Sequence, residues 1–436
     1  MRHIAKQSFG IAMCLFFALT ANAQIYNSAS KKVVAGQLGE IIWKDGIHNN
    51  CDARFGTLIA KERRNGQSSS KQIGIPIIYV NPTQEGANGL PVFVLGGGPG
   101  ESNLANTMFF EQIVRQNPLV MIGYRGVDGN TRLDCPCLLN AVKNMGNGHN
   151  ADSYQLAIDS CADNWSNQLI DIQGYSITEV VNDIEDVRVA LEIDKFHVVA
   201  FSYGTMLVQM YAQRFPGHIA RNVIIAPRLL YDFEIHTADI ANLDRQINKL
   251  LAPDNEFIIK RIIDQKDAFG ANSEQFLLYS YTKLYSIDGI RELMKLASQD
   301  NDSISLQKSI DAFLASFSSK IALGDIIAKK SGNHTIHNSE PTTPNGYEPM
   351  AKSANNWFNS ASQSVTESPQ TQPNDIPTLI ICGDLDIVAP TETTRKQLQA
   401  VFRNSKAVTI RNAGHTDLLG AQREETEKSI VNFLKR

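Results

Sequence analysis

Short apolar runs alternate with longer stretches of helical periodicity along much of the chain. Pro91–Leu95 (PVFVL) reads as a buried strand that runs into a glycine turn, and Leu119–Gly123 reads as a second. The stretch SITEVVNDIEDVRVALEI then predicts a helix. Ser176 and Glu179 have capping-box spacing, and Val180, Ile184, Val187 and Leu191 recur on one face. Phe196–Phe201 is the next strand, Tyr203–Phe215 the next helix with Pro216 as its stop, and RNVIIAP another strand. From about Leu229 to Phe317 the period is helical throughout, as in IANLDRQINKLL and GIRELMKLASQ. Gly332–Asp375 is polar and loop-like, with room for one short helix. Alternation then resumes with the strand IPTLIIC, a helix near Glu392–Phe402, the strand KAVTIR and a last helix from about Glu424. Such alternation implies a mostly parallel sheet with helices on both faces, interrupted by a mainly helical insertion.

Composition adds limits. The chain has 436 residues, is 43% hydrophobic and carries a formal charge of −4. No basic block points to nucleic acid, and no apolar run beyond the N-terminus is long enough to span a membrane. The N-terminus itself is distinctive. Arg2, His3 and Lys6 precede the apolar run Phe9–Leu19, and Ala21-Asn22-Ala23 is a small-x-small cleavage pattern. Residues 1–23 therefore read as a signal peptide, with a mature chain from near Gln24 exported to a periplasmic or extracellular, oxidising space. Cys135 and Cys137 are too close for an unstrained mutual bond. Cys51 and Cys161 are expected to take one each, in either order, with Cys382 left as a buried thiol.

The chemistry centres on Ser202. A strand ends at Phe201 and a helix begins at Tyr203, with small residues, Ala200 and Gly204, two positions to either side. This is the pattern of a strand–serine–helix nucleophile elbow, which lifts a serine oxygen toward a helix N-terminus. A serine needs a base and an orienting acid. The strand of IPTLIIC is followed by Asp384 and Asp386, which spacing alone does not separate, and the strand of KAVTIR is followed by a loop with His415. His197 falls inside a strand, as a packed side chain would, and His334 and His337 lie in a polar loop. LGGGPGES supplies a glycine turn for oxyanion amides. It matches neither G-x-G-x-x-G nor the P-loop pattern, so no nucleotide site is expected.

Taken together, GGGPGES, GYRGVDGNTRLDCP, FSYGTMLVQMYAQRFP, CGDLDIVAP and NAGHTDLL resemble the motifs of the proline iminopeptidase and tripeptidyl aminopeptidase family of α/β-hydrolases, over residues 75–225 and 375–436. The resemblance implies an α/β-hydrolase core (24–228 and 375–436) with a helical cap (229–374). It makes Ser202 the nucleophile, Asp386 the acid and His415 the base, with Gly98 and Tyr203 as oxyanion amides and no cofactor. It further implies short peptide substrates with a free N-terminus, whose ammonium meets acidic residues; Glu101, Glu234, Glu256 and Glu274 are candidates. Ala200 replaces the family's first elbow glycine, Gly123-Tyr124 its Asp-Gln, and IIAPRLL its Leu-Asp-Gly. A secreted esterase or lipase-like enzyme uses the same triad with an apolar pocket, and a binding protein on the same fold would have lost its chemistry.

Overall fold

The structure is a computed structural model that describes residues 36–64, 70–105, 108–144, 151–230, 235–253, 257–298, 303–330, 346–359, 372–389 and 391–435. Residues 1–23, read above as a signal peptide, and Glu234, Glu256, His334 and His337 lie outside the described residues. Among the described residues nine strands form one sheet: β1 (Ile41–His48), β2 (Cys51–Lys61), β3 (Gln72–Val80), β4 (Val92–Leu95), β5 (Leu119–Ile122), β6 (Phe196–Phe201), β7 (Ile219–Ile225), β8 (Thr378–Gly383) and β9 (Ser405–Ile410). Their order is β1-β2-β3-β5-β4-β6-β7-β8-β9. The first three strands and β5 pair antiparallel, and every pairing from β5 through β9 is parallel.

The central strands are continuous apolar runs because helices cover both faces. Phe93, Leu95, Val198 and Ala200 point to one face, against α4 (Ile177–Ala190) and α5 (Tyr203–Arg214). Val92, Val94, Val199 and Ile225 point to the other, against α1 (Glu111–Val114) and α14 (Arg423–Leu434). The start of α4 is only partly the expected capping box. Ser176 Oγ accepts from the Glu179 amide at 3.4 Å. The Glu179 carboxylate goes instead to Arg64, accepting from its amide at 2.9 Å and its Nη1 at 2.6 Å. Arg125, fully buried, grips both oxygens of Asp183 on α4 at 2.6 Å and reaches the carbonyl of Glu62. A charge taken out of water needs this many partners. Here they tie β2 and the loop after β5 to α4.

A second apolar layer lies over the sheet's carboxyl edge. Between β7 and β8 come α6 (Thr237–Leu251), α7 (Ile258–Asp264), α8 (Ser273–Lys283), α9 (Ile287–Ser298), α10 (Ser303–Lys320), α11 (Leu323–Lys330) and α12 (Glu348–Asn359). Two helices from before β6, α2 (Pro136–Lys143) and α3 (Ala151–Asn167), join them, so that Trp165 packs in one cluster with Ile259, Phe276, Ile290 and Met350. A disulfide between Cys135 and Cys161 links α2 to α3, with the Cα atoms 5.5 Å apart. Cys135 is one of the two partners expected for Cys161, but the second expected bridge, which would then join Cys51 to Cys137, is not formed. Cys51 and Cys137 are both free thiols, because Cys51 opens β2 beside the turn from β1 while Cys137 is exposed on α2 and faces Ser160 at 3.3 Å. Cys382 is a buried free thiol in β8, as expected. The last core helix, α13 (Thr391–Val401), runs from β8 to β9.

Candidate active site

β6 delivers its chain straight into α5, and Ser202 alone makes the bend. Its backbone takes φ 51° and ψ −117°, outside the regions an L-residue ordinarily occupies. Its amide is held by the carbonyl of Ile225 at 3.0 Å. The small neighbours have separate reasons. A Cβ on Gly204 would sit 2.2 Å from the carbonyl oxygen of Leu95, so only glycine fits there. Ala200 buries its methyl in the sheet core, where the chain tolerates a side chain that small.

The three predicted triad residues meet at the carboxyl edge of the sheet. His415 Nε2 lies 2.9 Å from Ser202 Oγ, and its Nδ1 lies 3.0 Å from each carboxylate oxygen of Asp386. All three are buried. The imidazole is packed between the rings of Phe201, at 5.0 Å, and Tyr285, at 5.7 Å. Asp386 Oδ1 also accepts from the amides of Val388 at 2.8 Å and Ala389 at 3.0 Å, which fixes the carboxylate toward the histidine. Asp384 serves differently. It accepts from the Ala413 amide at 3.2 Å and staples the turn after β8 to the loop that carries His415; burial raises its pKa.

Gly98 and Tyr203 line the same cavity as Ser202 and His415, a space of about 120 Å³. Tyr203 is the first residue of α5, so its N–H belongs to the first turn of the helix. The glycine loop passes against the elbow: a Cβ on Gly97 would lie 3.5 Å from the Cβ of Ser202. The loop is anchored from below by Asn103, which accepts from the Gly96 amide at 2.5 Å and donates to the carbonyls of Val94 and Ile122. Asp128 accepts from the amides of Asn103 and Tyr124 and from Ser102, and burial pushes its carboxyl up to about 6.

The acidic candidates are scattered. Glu101 is exposed at the outer end of the glycine loop, and its charge is a minor contributor to the raised pKa of Tyr285, which burial pushes up to about 12. Glu274 faces Tyr154 of α3 and does not line the cavity. His197 is a packed side chain in β6, as its position predicted, with no partner for Nδ1; burial, helped by Arg221, drives its pKa down to about 4. Arg228 is a cavity residue that was not singled out from the sequence. It stands in IIAPRLL, two residues past an alanine with positive φ, where Thr205 Oγ1 accepts from its amide at 2.9 Å and its Nη1 donates to Val388 O at 2.6 Å. The signal available was its place just beyond the carboxyl end of a parallel strand. A larger cavity, about 530 Å³, lies between the β1–β2 turn, Phe109 and Arg423, and none of the three triad residues lines it.

Residues 91–254 match a protein-family model described as alpha/beta hydrolase fold. The chain has the α/β-hydrolase fold. Residues 347–436 match a second model of that class, described as TAP-like protein. No curated protein matches the chain. Among solved structures, an α/β-hydrolase enzyme from a Medee basin deep-sea metagenome library aligns with TM-score 0.44 and 14% identity, covering 84% of this chain and 96% of its own. A thermophilic esterase from Thermogutta terrifontis aligns with TM-score 0.41 and 14% identity, covering 86% and 98%. A laboratory-evolved variant of potato epoxide hydrolase aligns with TM-score 0.42 and 12% identity, covering 91% and 99%. No helix among the described residues is long and apolar enough to cross a membrane.

Proposed function

We propose that this α/β-hydrolase is a serine hydrolase that removes N-terminal residues from short peptides. The observation that carries the reading is the unbroken line from Asp386 through both ring nitrogens of His415 to Ser202 Oγ on a strained elbow. In this reading Ser202 Oγ attacks the scissile carbonyl carbon while His415 Nε2 takes the hydroxyl proton. Asp386 holds the imidazole and stabilises the cation that forms. The amides of Tyr203 and Gly98 receive the oxyanion, each such donor being worth about 10²–10³ in rate. Collapse breaks the C–N bond, and His415 gives its proton to the departing amine. A water, deprotonated by His415, then releases the acyl group from Ser202.

The peptide substrate is supported by the TAP-like match at residues 347–436 and by Glu101, an acidic side chain whose negative charge, the kind that attracts an ammonium, acts on the cavity residue Tyr285. Export is supported by the leader pattern in residues 1–23 and fits the Cys135–Cys161 disulfide. A second reading, a secreted carboxylesterase or lipase-like enzyme, draws support from the cavity wall. Met206, Ile235, Leu278 and Val388 are apolar, and Arg228 is a cation where an ammonium would be repelled.

One panel decides between them: chromogenic amides of proline, alanine and a tripeptide, each with a free and an acetylated N-terminus, and a short-chain ester, with wild type and Ser202→Ala. Cleavage of the free-amine amides that Ser202→Ala abolishes supports the aminopeptidase. Ser202-dependent cleavage of the ester alone replaces it with the esterase, and no turnover of any substrate leaves a binding protein on a hydrolase fold. The mass of the exported protein should correspond to a chain starting near Gln24; any other start refutes the leader assignment.

A further inference from the structure

We infer that Asp325, on the cap helix α11, is a positioning residue for the oxyanion loop, acting through the amide of Gly100. This rests on the serine-hydrolase reading above. Asp325 and Lys329 are both fully buried and form an ion pair at 2.6 Å, one helical turn apart. Such a pair is costly to bury unless its remaining hydrogen-bonding groups are used. Asp325 Oδ2 accepts from the Gly100 amide at 3.0 Å. Lys329 Nζ donates to the carbonyl of Tyr175 at 2.6 Å and to that of Arg125 at 3.4 Å. The pair is therefore fastened to the core on one side and to the glycine loop on the other.

The glycine loop is shaped to receive it. Gly100 has φ +85°, and a Cβ there would lie 2.9 Å from the Ala322 carbonyl; the Ala322 amide in turn donates to the Gly100 carbonyl at 2.8 Å. Gly126, with φ +84°, leaves room on the opposite side, since a Cβ there would lie 2.7 Å from Asp325 Oδ1. Gly98 stands two residues before Gly100 with φ +125°, and the Gly100 amide nitrogen lies 3.3 Å from where its Cβ would be. A turn this tight transmits the position of Gly100 to the orientation of the Gly98 amide. Asn103 and Asp128 hold the loop from the core, and from the cap it is held by the Ala322 amide at the Gly100 carbonyl and by Asp325 at the Gly100 amide.

A residue that only tied cap to core would affect stability and not the transition state. Two double variants separate the roles. Asp325→Asn with Lys329→Met removes both charges but keeps an acceptor oxygen for Gly100. Asp325→Leu with Lys329→Met removes the acceptor as well. A buried ion pair replaced by apolar groups of similar volume is often neutral for stability, so both should fold. The Asn/Met protein should keep kcat within about threefold of wild type, whereas the Leu/Met protein should lose about 10²-fold in kcat with KM little changed, the size of one displaced oxyanion donor. Phosphonylation of Ser202 by a fluorophosphonate should slow in the same pattern, and the Gly100 amide should exchange its hydrogen faster only in the Leu/Met protein. Equal kcat and phosphonylation rates in the two folded double variants overturn the inference, as does an Asn/Met protein as slow as Leu/Met, and so does an unchanged exchange rate at Gly100. A wild-type protein that the fluorophosphonate does not label refutes the serine-hydrolase reading itself. The catalytic purpose of Asp325 falls with it, and amide exchange still reports whether Asp325 holds the loop.

Discussion

Replacing Ser202, the proposed nucleophile, by glycine should produce an inactive protein that is more stable than the alanine variant. Ser202 sits at φ 51° and ψ −117°, a conformation that costs a non-glycine residue of order 1–3 kcal/mol. Alanine keeps the Cβ and therefore the strain; glycine removes both. Against this, glycine gives the unfolded chain more freedom, at a cost of about 0.5–1 kcal/mol. Both variants lose the hydrogen bond to His415 Nε2, so that loss cancels in the comparison. The balance is about 1 kcal/mol in favour of Ser202→Gly over Ser202→Ala. Urea unfolding followed by tryptophan fluorescence, with matched slopes, reads the difference directly. Equal stabilities, or a more stable alanine variant, would show that the elbow is not strained and that Ser202 is placed by sequence order alone.

Gly204→Ala drives a methyl onto the Leu95 carbonyl, 2.2 Å away, and should cost at least about 2 kcal/mol together with most activity; a thermal midpoint equal to that of wild type counts against the close approach of α5 to β4. His197 is held near 4 against an ordinary value near 6.5, so the unfolded chain binds the extra proton first and stability falls as pH drops from about 6.5 to 4, by up to about 3 kcal/mol. Asp128, raised to about 6, works in the opposite sense between its ordinary 3.8 and 6, gaining stability as pH falls, so wild type must be compared with His197→Val, whose stability should fall less with acid over that window. Asp386→Asn should lower kcat by about 10⁴, while Asp384→Asn, whose side chain only pins the Ala413 amide, should cost less than tenfold; the reverse ranking reassigns the acid.

The parallel half of the sheet was legible because a strand covered on both faces must be apolar throughout. Phe196–Phe201 is the clearest instance, its ends matching the sequence reading residue for residue. The three antiparallel strands at the other edge were not assigned. They carry glycines that look like turns, yet Gly46 lies under the ring of Phe55 and Gly56 under that of Trp43, so aromatic side chains on the neighbouring strand fill what the glycines lack. Ser202, Asp386 and His415 were nameable because each stands just past a strand end, and the choice between Asp384 and Asp386 needed the motif resemblance. Chain order says nothing about which helix faces which loop. For that reason the bridge between Cys135 and Cys161, the cavity position of Arg228 and the contact of Asp325 with Gly100 could be read only from the packed cap.

The chain assembles its reactive groups late. The serine belongs to β6 and α5, but the acid and the histidine arrive on β8 and β9, beyond the whole cap and close to the C-terminus. Until β8 docks on β7 and β9 on β8, the elbow holds a hydroxyl without His415 beside it. On the proposed serine-hydrolase reading, a partly synthesised chain is therefore chemically silent, and a cleavage that removes the segment after the cap disarms the protein without touching its serine.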